Sequence, residues 1–297
     1  MYNPEYTKRF YDTYGEREWA RLESSAYNRL EAIIHADFTH RYVRQGDRVL
    51  DAGSGPGRFS ILLAQIGALV TVLDISPQQL ALARQKLTEV GALDRMEQFI
   101  EADITDLSMF PSNHFDTVIC LGGALSYVCE RRQQAADELM RVTKPSGTII
   151  VSVMNVLGCV LGVVKTPELP YLKEPDKRDL YMPGMASFWE VYETGDLPGF
   201  PSRAGLSHAP MHMYTAKELE ELFHRFEILQ VAGCCVTLSE YLKTPEEITK
   251  EPAWSTVVEL ERRVNTNPGL VNTGSHIIIA ARKRDWGSYY GRGNYLM

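Results

Sequence analysis

The segment from Val49 to Arg58 holds the residues whose types and spacing point most clearly to chemistry. It reads Val-Leu-Asp-Ala-Gly-Ser-Gly-Pro-Gly-Arg, so an apolar run is followed by a glycine-rich turn. A strand, such a turn and a helix in that order bring backbone N–H groups close to a ligand. The glycine spacing alone fits a nicotinamide dinucleotide as well as other nucleoside cofactors.

Two aspartates distinguish between those ligands. Asp51 ends the first apolar run, two residues before the first glycine, and Asp74 ends the next run. A carboxylate at Asp51 would repel a pyrophosphate, by about 4 kcal/mol for unit charges 4 Å apart at an effective dielectric constant of 20. It would suit the ammonium and sulfonium groups of S-adenosylmethionine, which has no phosphate. Asp74 can accept hydrogen bonds from ribose hydroxyls in either ligand, so Asp51 carries the distinction.

At these residues the sequence resembles the class I S-adenosylmethionine-dependent methyltransferases. The resemblance covers about residues 46–155 and extends to the Phe-Asp-Thr-Val-Ile-Cys-Leu-Gly-Gly segment and the later Lys-Pro-Ser-Gly turn. It implies that the glycine turn binds the methionine portion of the cofactor, that Asp74 binds the ribose, and that acidic and apolar residues flank the adenine. The residues assigned to cofactor binding on this basis are Asp51, Gly53, Ser54, Gly55, Gly57, Asp74, Ile75, Asp103, Ile104 and Leu121.

The aromatic N-terminal segment is the second candidate part of the site. The resemblance extends to the N-terminal caps of small-molecule methyltransferases, which implies that Tyr11 or Tyr14 closes over the sulfonium. Tyr14 is therefore a candidate catalytic residue. Arg21 is expected to hold the cofactor carboxylate through a bidentate pair. The alternative is an amphipathic helix whose aromatic residues belong to the core.

Three residues from later parts of the chain are candidates for substrate binding. Tyr127 follows the Gly122-Gly123 turn, Asn155 ends the fifth apolar run, and His212 precedes a capped helix. His212 is also a catalytic candidate because a histidine can act as a general base near neutral pH; the alternative is a structural hydrogen-bonding role. The sequence has no Ser-His-Asp or Cys-His spacing. None is needed, since methyl transfer from a sulfonium is an in-line displacement in which orientation supplies much of the rate.

Seven apolar runs alternating with helical stretches indicate how these residues are positioned. The pattern predicts an α/β fold, a Rossmann-like doubly wound and mostly parallel seven-stranded sheet. Ligands of such sheets bind outside the carboxyl ends of the strands. The predicted strands are 48–51, 69–74, 96–103, 115–122, 148–155, 227–234 and 276–283, and the predicted helices are 58–66, 77–90, 132–142, one capped by Thr215, and one around 244–264.

The whole chain, residues 1–297, is predicted to form a single domain in four parts. These are a helical cap (1–45) with a helix from Glu16 to Tyr42, a cofactor-binding core (46–155), an insertion (156–210), and the C-terminal half of the sheet with a tail (211–297). The insertion holds seven of the fifteen prolines, together with six aromatic residues. With the N-terminal helix it is expected to form a mobile lid over the site. The alternative is an insertion that simply packs on the surface of the protein.

The composition indicates which classes of partner the chain is expected to bind. Its 297 residues carry a formal net charge of −7, with 44% hydrophobic and 23% charged residues. Affinity for nucleic acid depends on Lys and Arg, so we expect a small-molecule substrate and no nucleic acid. The cysteine spacing predicts no disulfide framework and no metal site. Without a signal peptide or an apolar run of about 18 residues, we expect a cytoplasmic protein with no membrane partner, which could form a homodimer.

Three functions are compatible with these features. The first is S-adenosylmethionine-dependent methyl transfer to a small-molecule acceptor. The second is cyclisation or cleavage of the cofactor itself, releasing methylthioadenosine, and the third is a non-catalytic cofactor-binding module. Class I methyltransferases that methylate amino groups of nucleic acids carry an Asn/Asp-Pro-Pro-aromatic stretch after the fourth strand. This chain reads Leu121-Gly122-Gly123-Ala124 at that place, which disfavours a nucleic-acid substrate of this kind.

Overall fold

The computed structural model describes residues 2–164, 188–201, 207–238 and 245–285. These ranges include all seven predicted strands. The expected lid, residues 156–210, lies partly outside them, because residues 165–187 and 202–206 are not among the described residues. Within the described residues, no helix is both long enough and apolar enough to cross a lipid bilayer.

A seven-stranded sheet forms the centre of the molecule. Its strands are β1 (Arg48–Ala52), β2 (Leu69–Asp74), β3 (Met96–Glu101), β4 (Phe115–Cys120), β5 (Thr143–Met154), β6 (Phe226–Cys234) and β7 (His276–Lys283). They lie in the order β6-β7-β5-β4-β1-β2-β3. Strand β7 is antiparallel to both β5 and β6, and the other pairs are parallel. The predicted Rossmann-like, mostly parallel sheet is confirmed.

Consecutive apolar residues in the central strands supply two cores, one on each face of the sheet. Leu50, Val118 and Ile149 belong to one buried cluster, whereas Val49 and Ile119 belong to the other. Side chains alternate between the faces of a strand, so a run without polar residues is buried on both sides. This is why the central strands read as continuous apolar segments.

Helices cover both faces of the sheet, and sequence signals mark several of their ends. The helix Pro77–Glu89 follows Ser76, whose Oγ accepts a hydrogen bond from the Gln79 amide at 3.1 Å, as expected of an N-cap. The helix Arg58–Ile66 ends before Gly67, whose backbone angles lie in the left-handed region. The helices are α1 (Pro4–Tyr14), α2 (Glu16–Arg21), α3 (Ala26–Tyr42), α4 (Arg58–Ile66), α5 (Pro77–Glu89), α6 (Arg132–Val142), α7 (Val156–Val164), α8 (Phe188–Thr194), α9 (Ala216–Leu222) and α10 (Ala253–Val264).

The prediction of one continuous helix from Glu16 to Tyr42 is wrong. The chain turns after Arg21, and α3 begins anew with Ser25 as its N-cap, whose Oγ accepts from the Asn28 amide at 3.1 Å. A serine side chain competes with helix continuation by binding the backbone itself. The break lets α2 lie over the glycine turn, where Arg58 donates to the Trp19 carbonyl, while α3 packs on β6 and β7.

The Lys-Pro-Ser-Gly turn predicted before the fifth strand is a bulge inside it. Phe115 pairs with Thr143 and Thr117 with Thr148, so β5 takes extra residues where β4 continues normally. Ser146 has a positive φ of 62° within this bulge. The strand therefore begins at Thr143, before the predicted start.

Thr215 caps α9 as the sequence predicted. Of the two hydrogen bonds expected in the capping box, the one that Thr215 accepts is formed. Its Oγ1 accepts a hydrogen bond from the Glu218 amide at 3.2 Å. The Glu218 carboxylate is turned instead toward His212, whose Nε2 lies 2.7 Å from Oε1.

Replacing this cap should destabilise the fold by a small, measurable amount. We expect Thr215→Ala to lower the free energy of unfolding by about 1 kcal/mol, because the Glu218 amide loses its acceptor. Urea unfolding followed by circular dichroism measures the change. Thr215→Ser keeps the hydroxyl and serves as the control. An equal loss of stability in both variants would contradict the assignment.

Candidate functional site

A cleft at the carboxyl ends of β1, β2 and β4 lies beneath the N-terminal helices. It encloses about 920 Å³ of space, including a part that is open to solvent. The sheet brings residues from distant parts of the chain to this one place. The sequence-predicted residues that line it are Tyr11, Arg21, Asp51, Gly53, Ser54, Gly55, Asp74, Ile75, Asp103, Ile104, Leu121 and Tyr127.

The glycine turn after β1 is shaped by close contacts with its neighbours. A Cβ built on Gly53 would lie 2.4 Å from the Cβ of Ala124, which follows β4. Gly53 also has φ of 77°, in the left-handed region, which glycine adopts without steric penalty. Its amide and that of Ser54 donate to the Leu73 carbonyl at 2.8 and 3.0 Å. The turn is thereby fixed to both β2 and the loop after β4.

Two buried carboxylates stand at the ends of β1 and β2. Asp51 is 2% exposed and accepts a hydrogen bond from the Ser60 hydroxyl at 2.6 Å. Burial raises its pKa to about 7, against the effect of Ser60. Asp74 accepts from the amides of Gly55 and Ser76, each at 2.8 Å, yet burial raises its pKa to about 6. Among the described residues neither group has a cationic partner, so a positively charged ligand would stabilise their ionised forms.

The third acidic residue, Asp103, lies beyond β3 beside apolar residues. Its carboxylate accepts hydrogen bonds from the Tyr2 hydroxyl and, at 2.8 Å, from the Thr105 amide. Ile75 and Ile104 line the same side of the cleft. Apolar surfaces next to a hydrogen-bond acceptor suit a flat heterocycle with an amino group.

The cap contributes a cation and two phenols to the cleft. The Arg21 guanidinium contacts the Glu18 carboxylate through Nε and Nη2 at 2.9–3.1 Å. Tyr11 and Tyr127 form a hydrogen bond, and their rings meet edge to face with centroids 5.5 Å apart. Burial raises the pKa of Tyr127 to about 12 and that of Tyr11 well above its usual value. Both phenols therefore stay protonated near neutral pH.

Two other residues predicted for this site do not line the cleft. Gly57 packs the start of α4 against α5, because a Cβ there would lie 2.9 Å from the Cβ of Ala83. Tyr14 stacks on Phe10 with ring centroids 5.6 Å apart, and the Arg17 guanidinium lies over its ring. The structure thus gives Gly57 a packing role and leaves Tyr14 half-buried in the cap, outside the cleft lining.

The predicted substrate residues Asn155 and His212 also lie away from the cleft lining, where both have hydrogen-bond partners within the protein. Asn155 is fully buried, donates to the Gly274 carbonyl at 2.6 Å and accepts from the Leu157 amide at 3.2 Å. The ring nitrogens of His212 lie 2.7 Å from Asp196 and 2.7 Å from Glu218. With both nitrogens engaged, His212 joins a short strand pair to α9 and offers no free nitrogen to act as a base.

Several cleft residues were missed by the sequence interpretation. A signal existed for Glu18, because it precedes Arg21 by three residues and so shares its helix face. Tyr2 reaches Asp103 across the sheet end, a contact that no local pattern encodes. Behind Arg21, the side chains of Glu31, His35 and His276 converge in the interior; α3 and β7 bring them together from opposite ends of the chain. Other missed lining residues are Thr7, Leu22, Pro56, Arg58, Phe59, Ala102, Gly122, Ala124 and Val128.

The core is similar in sequence to known methyltransferases. Residues 50–151 match the family model described as "Methyltransferase domain". Demethylmenaquinone methyltransferase of Clavibacter sepedonicus is 34% identical over 172 residues, 55% of this chain and 62% of that protein. Malonyl-[acyl-carrier protein] O-methyltransferase of Pectobacterium atrosepticum is 35% identical over 131 residues, 44% of this chain and 45% of that protein. The chain thus covers less than two thirds of the length of either relative.

Among solved structures, an S-adenosylmethionine-dependent methyltransferase from Methanosarcina mazei shares the fold. The TM-score is 0.52 at 23% sequence identity, and the match covers 83% of this chain and 97% of that one. At this identity the likeness concerns the fold alone.

The pKa shifts of Asp51 and Asp74 predict how ligand binding depends on pH. A ligand that carries an ammonium group favours ionised carboxylates, which are depleted below pH values of about 7 and 6 respectively. We therefore expect affinity for S-adenosylhomocysteine to rise from pH 5.5 to 7.5 and to level off above it, with protons released on binding. Calorimetry at pH 7 in buffers of different ionisation enthalpy measures the release.

Asp51→Asn is the matched variant for this test. It removes the group of higher pKa, so its affinity should level off at a lower pH than that of the wild type. An affinity that falls as the pH rises would refute the assignment of both carboxylates.

Proposed function

We propose that this chain is a class I S-adenosylmethionine-dependent methyltransferase and that it transfers a methyl group from that cofactor to a small molecule. One observation carries the proposal. The buried, cation-free carboxylates of Asp51 and Asp74 flank a glycine turn in the same cleft as Asp103. A ligand with a ribose, an adenine and a cationic amino-acid tail matches all three positions.

The charges of the cleft support this cofactor over a dinucleotide. A pyrophosphate at the glycine turn would add negative charge beside Asp51, which has the Ser60 hydroxyl as its hydrogen-bond partner. Repulsion between charges in a buried site costs several kcal/mol, on the order of 4 at an effective dielectric constant of 20. The ammonium and sulfonium groups would instead be attracted.

The side chains of the cleft would also fix the orientation of the bound cofactor. Each oxygen of Asp74 accepts one backbone amide, and the second lone pair of each can receive a ribose hydroxyl. Ile75 and Ile104 would pack on the adenine, and Asp103 would accept from its amino group. The bound cofactor supplies an electrophilic methyl group, so the remaining task of the protein is to hold an acceptor in line and to exclude water. Tyr11 and Tyr127 are placed to do this from the cap side.

A small-molecule acceptor fits the acidic chain and its relatives. The relatives are named as methyltransferases of demethylmenaquinone and of malonyl groups on an acyl-carrier protein, so related cores serve acceptors of different chemistry. The net charge of −7 disfavours an extended polyanion. We infer an acceptor that enters beside the cap and not one that lies along a basic groove.

The product of the cofactor tests this function directly. The purified chain is incubated with methyl-labelled S-adenosylmethionine and a panel of quinols, thiols, amines and carboxylic acids. We expect S-adenosylhomocysteine together with a labelled acceptor. Methylthioadenosine as the product would indicate cleavage or cyclisation of the cofactor, and binding without turnover across the panel would indicate a binding module. Failure to bind the cofactor at millimolar concentration would reject all three.

The ribose contact is tested by substitution of Asp74. We expect Asp74→Ala to weaken binding of S-adenosylhomocysteine and of methylthioadenosine alike, since both carry the ribose. Each charge-assisted hydrogen bond is worth about 1.5–3 kcal/mol, so the loss should be at least about tenfold in calorimetry. Asp94→Ala, at an exposed aspartate, is the control. Unchanged affinity in Asp74→Ala would remove this residue from the site.

A further inference from the structure

Arg21 lies between two carboxylates that approach it from different sides. Glu18, on the same helix, contacts its Nε and Nη2 atoms. Glu31, in α3, has its Oε2 atom 3.6 Å from Nη1 of Arg21. The guanidinium is planar, and its separate N–H edges can serve two acceptors at once.

The surroundings of the two carboxylates differ. The Glu31 side chain is 3% exposed, and its Oε1 atom lies 2.9 Å from Nδ1 of His276, the buried first residue of β7. Burial alone would raise the pKa of Glu31, but His276 and Arg21 outweigh burial and hold that pKa well below its usual range. Glu31 is therefore a fixed anion with cationic or polar partners on both oxygens.

Glu18, by contrast, faces the cleft. It lines the cavity, and its Cγ atom is 3.9 Å from the position that a Cβ on Gly55 would occupy. Its charge also helps to raise the pKa of Asp74, after burial itself. A third carboxylate in this cleft is unfavourable for Asp74, while the Glu18 contact with Arg21 is favourable. A zwitterionic ligand could replace the second interaction with its own carboxylate, while its ammonium group would offset the first.

We propose that the cleft-facing edge of Arg21 binds the carboxylate of the cofactor, that Glu31 and His276 are the positioning pair that holds Arg21 from the interior, and that Glu18 is a stand-in anion which the cofactor replaces. The exchange substitutes one carboxylate for another on the same guanidinium, so the charge around Arg21 is conserved. This inference rests on the proposed function, because it takes the cofactor to bind in this cleft.

A metal ion is the competing use of the interior cluster. Ligand atoms of Glu31, His35 and His276 lie within 4.8 Å of one another, and the Nδ1 atom of His35 lies 2.8 Å from the Glu31 carbonyl. However, the guanidinium of Arg21 already supplies positive charge to Glu31 at 3.6 Å. A divalent cation would have to bind beside it, against Coulomb repulsion in a buried site. The cluster is better suited to hold the arginine.

Two isosteric variants with opposite expected effects test the proposal. Titration calorimetry compares S-adenosylhomocysteine, which has the carboxylate, with methylthioadenosine, which lacks the amino-acid portion. We expect Glu31→Gln to weaken binding of S-adenosylhomocysteine about tenfold or more, because Arg21 loses its anchor. Glu18→Gln should strengthen it several-fold, because the competing anion is gone. Methylthioadenosine binding should change in neither variant.

Matched controls make the result specific. Glu16→Gln removes the same charge from an exposed position of α2 and should leave both affinities unchanged. In an Arg21→Met background the gain from Glu18→Gln should disappear. If Glu31→Gln does not fold, as judged by circular dichroism, His276→Gln replaces it, with a smaller but equally selective loss expected.

The contrary outcomes are distinct from a failure of the proposed function. Weaker binding of S-adenosylhomocysteine in Glu18→Gln would show that Glu18 is itself a ligand and would overturn the proposal, as would parallel losses for both ligands in Glu31→Gln. A wild-type chain that binds neither ligand would refute the cofactor site itself, and this inference with it. Binding of methylthioadenosine and S-adenosylhomocysteine with equal affinity by the wild type and by Arg21→Met would overturn only the role of Arg21.

Discussion

Burial of the Asp51 carboxylate without a cation is the constraint on which the site depends. A carboxyl group that is 2% exposed, with one serine hydroxyl as its hydrogen-bond partner, is costly to ionise. The cost falls if a positive ligand group comes to lie beside it. This places a requirement on the ligand before any detail of its shape is considered. The glycine turn, which in other proteins accepts phosphates, is here restricted to a ligand whose nearest groups are neutral or cationic.

The sheet order explains why such a cleft forms at this place. Strands β1 and β4 are neighbours, while the chain leaves β1 toward β2 on one side and reaches β4 and β5 on the other. At such a reversal the connections diverge and leave a crevice outside the strand ends. The approach of Gly53 to Ala124 closes its floor. The core thus provides a crevice with negative charge, and the cap supplies the cation, Arg21, that a zwitterionic ligand tail also requires.

Local patterns predicted most of the core and little of what surrounds it. The boundaries of α4, α6, β2 and β7 agree with prediction, because the glycines that flank α4 and the apolar runs of β2 and β7 are local signals. The break after Arg21 was missed because the apolar spacing of α2 continues smoothly into α3, although Ser25 was a readable cap. The hydrogen bonds of His212 and Asn155 were not predicted because their partners, Asp196 and Gly274, come close only through tertiary packing.

The phenols at the centre of the cleft limit how an acceptor could be activated. Burial raises the pKa of Tyr127 to about 12, and that of Tyr11, which hydrogen-bonds to it, is raised well above its usual value. Such groups can donate hydrogen bonds and fix an orientation, but they cannot remove a proton near neutral pH. Both ring nitrogens of His212 are hydrogen-bonded as well, so these three side chains can orient an acceptor atom but are not placed to deprotonate it. The contribution of the protein is then to hold such an atom in line with the methyl group, in a cleft whose charges are satisfied mainly when the cofactor is bound.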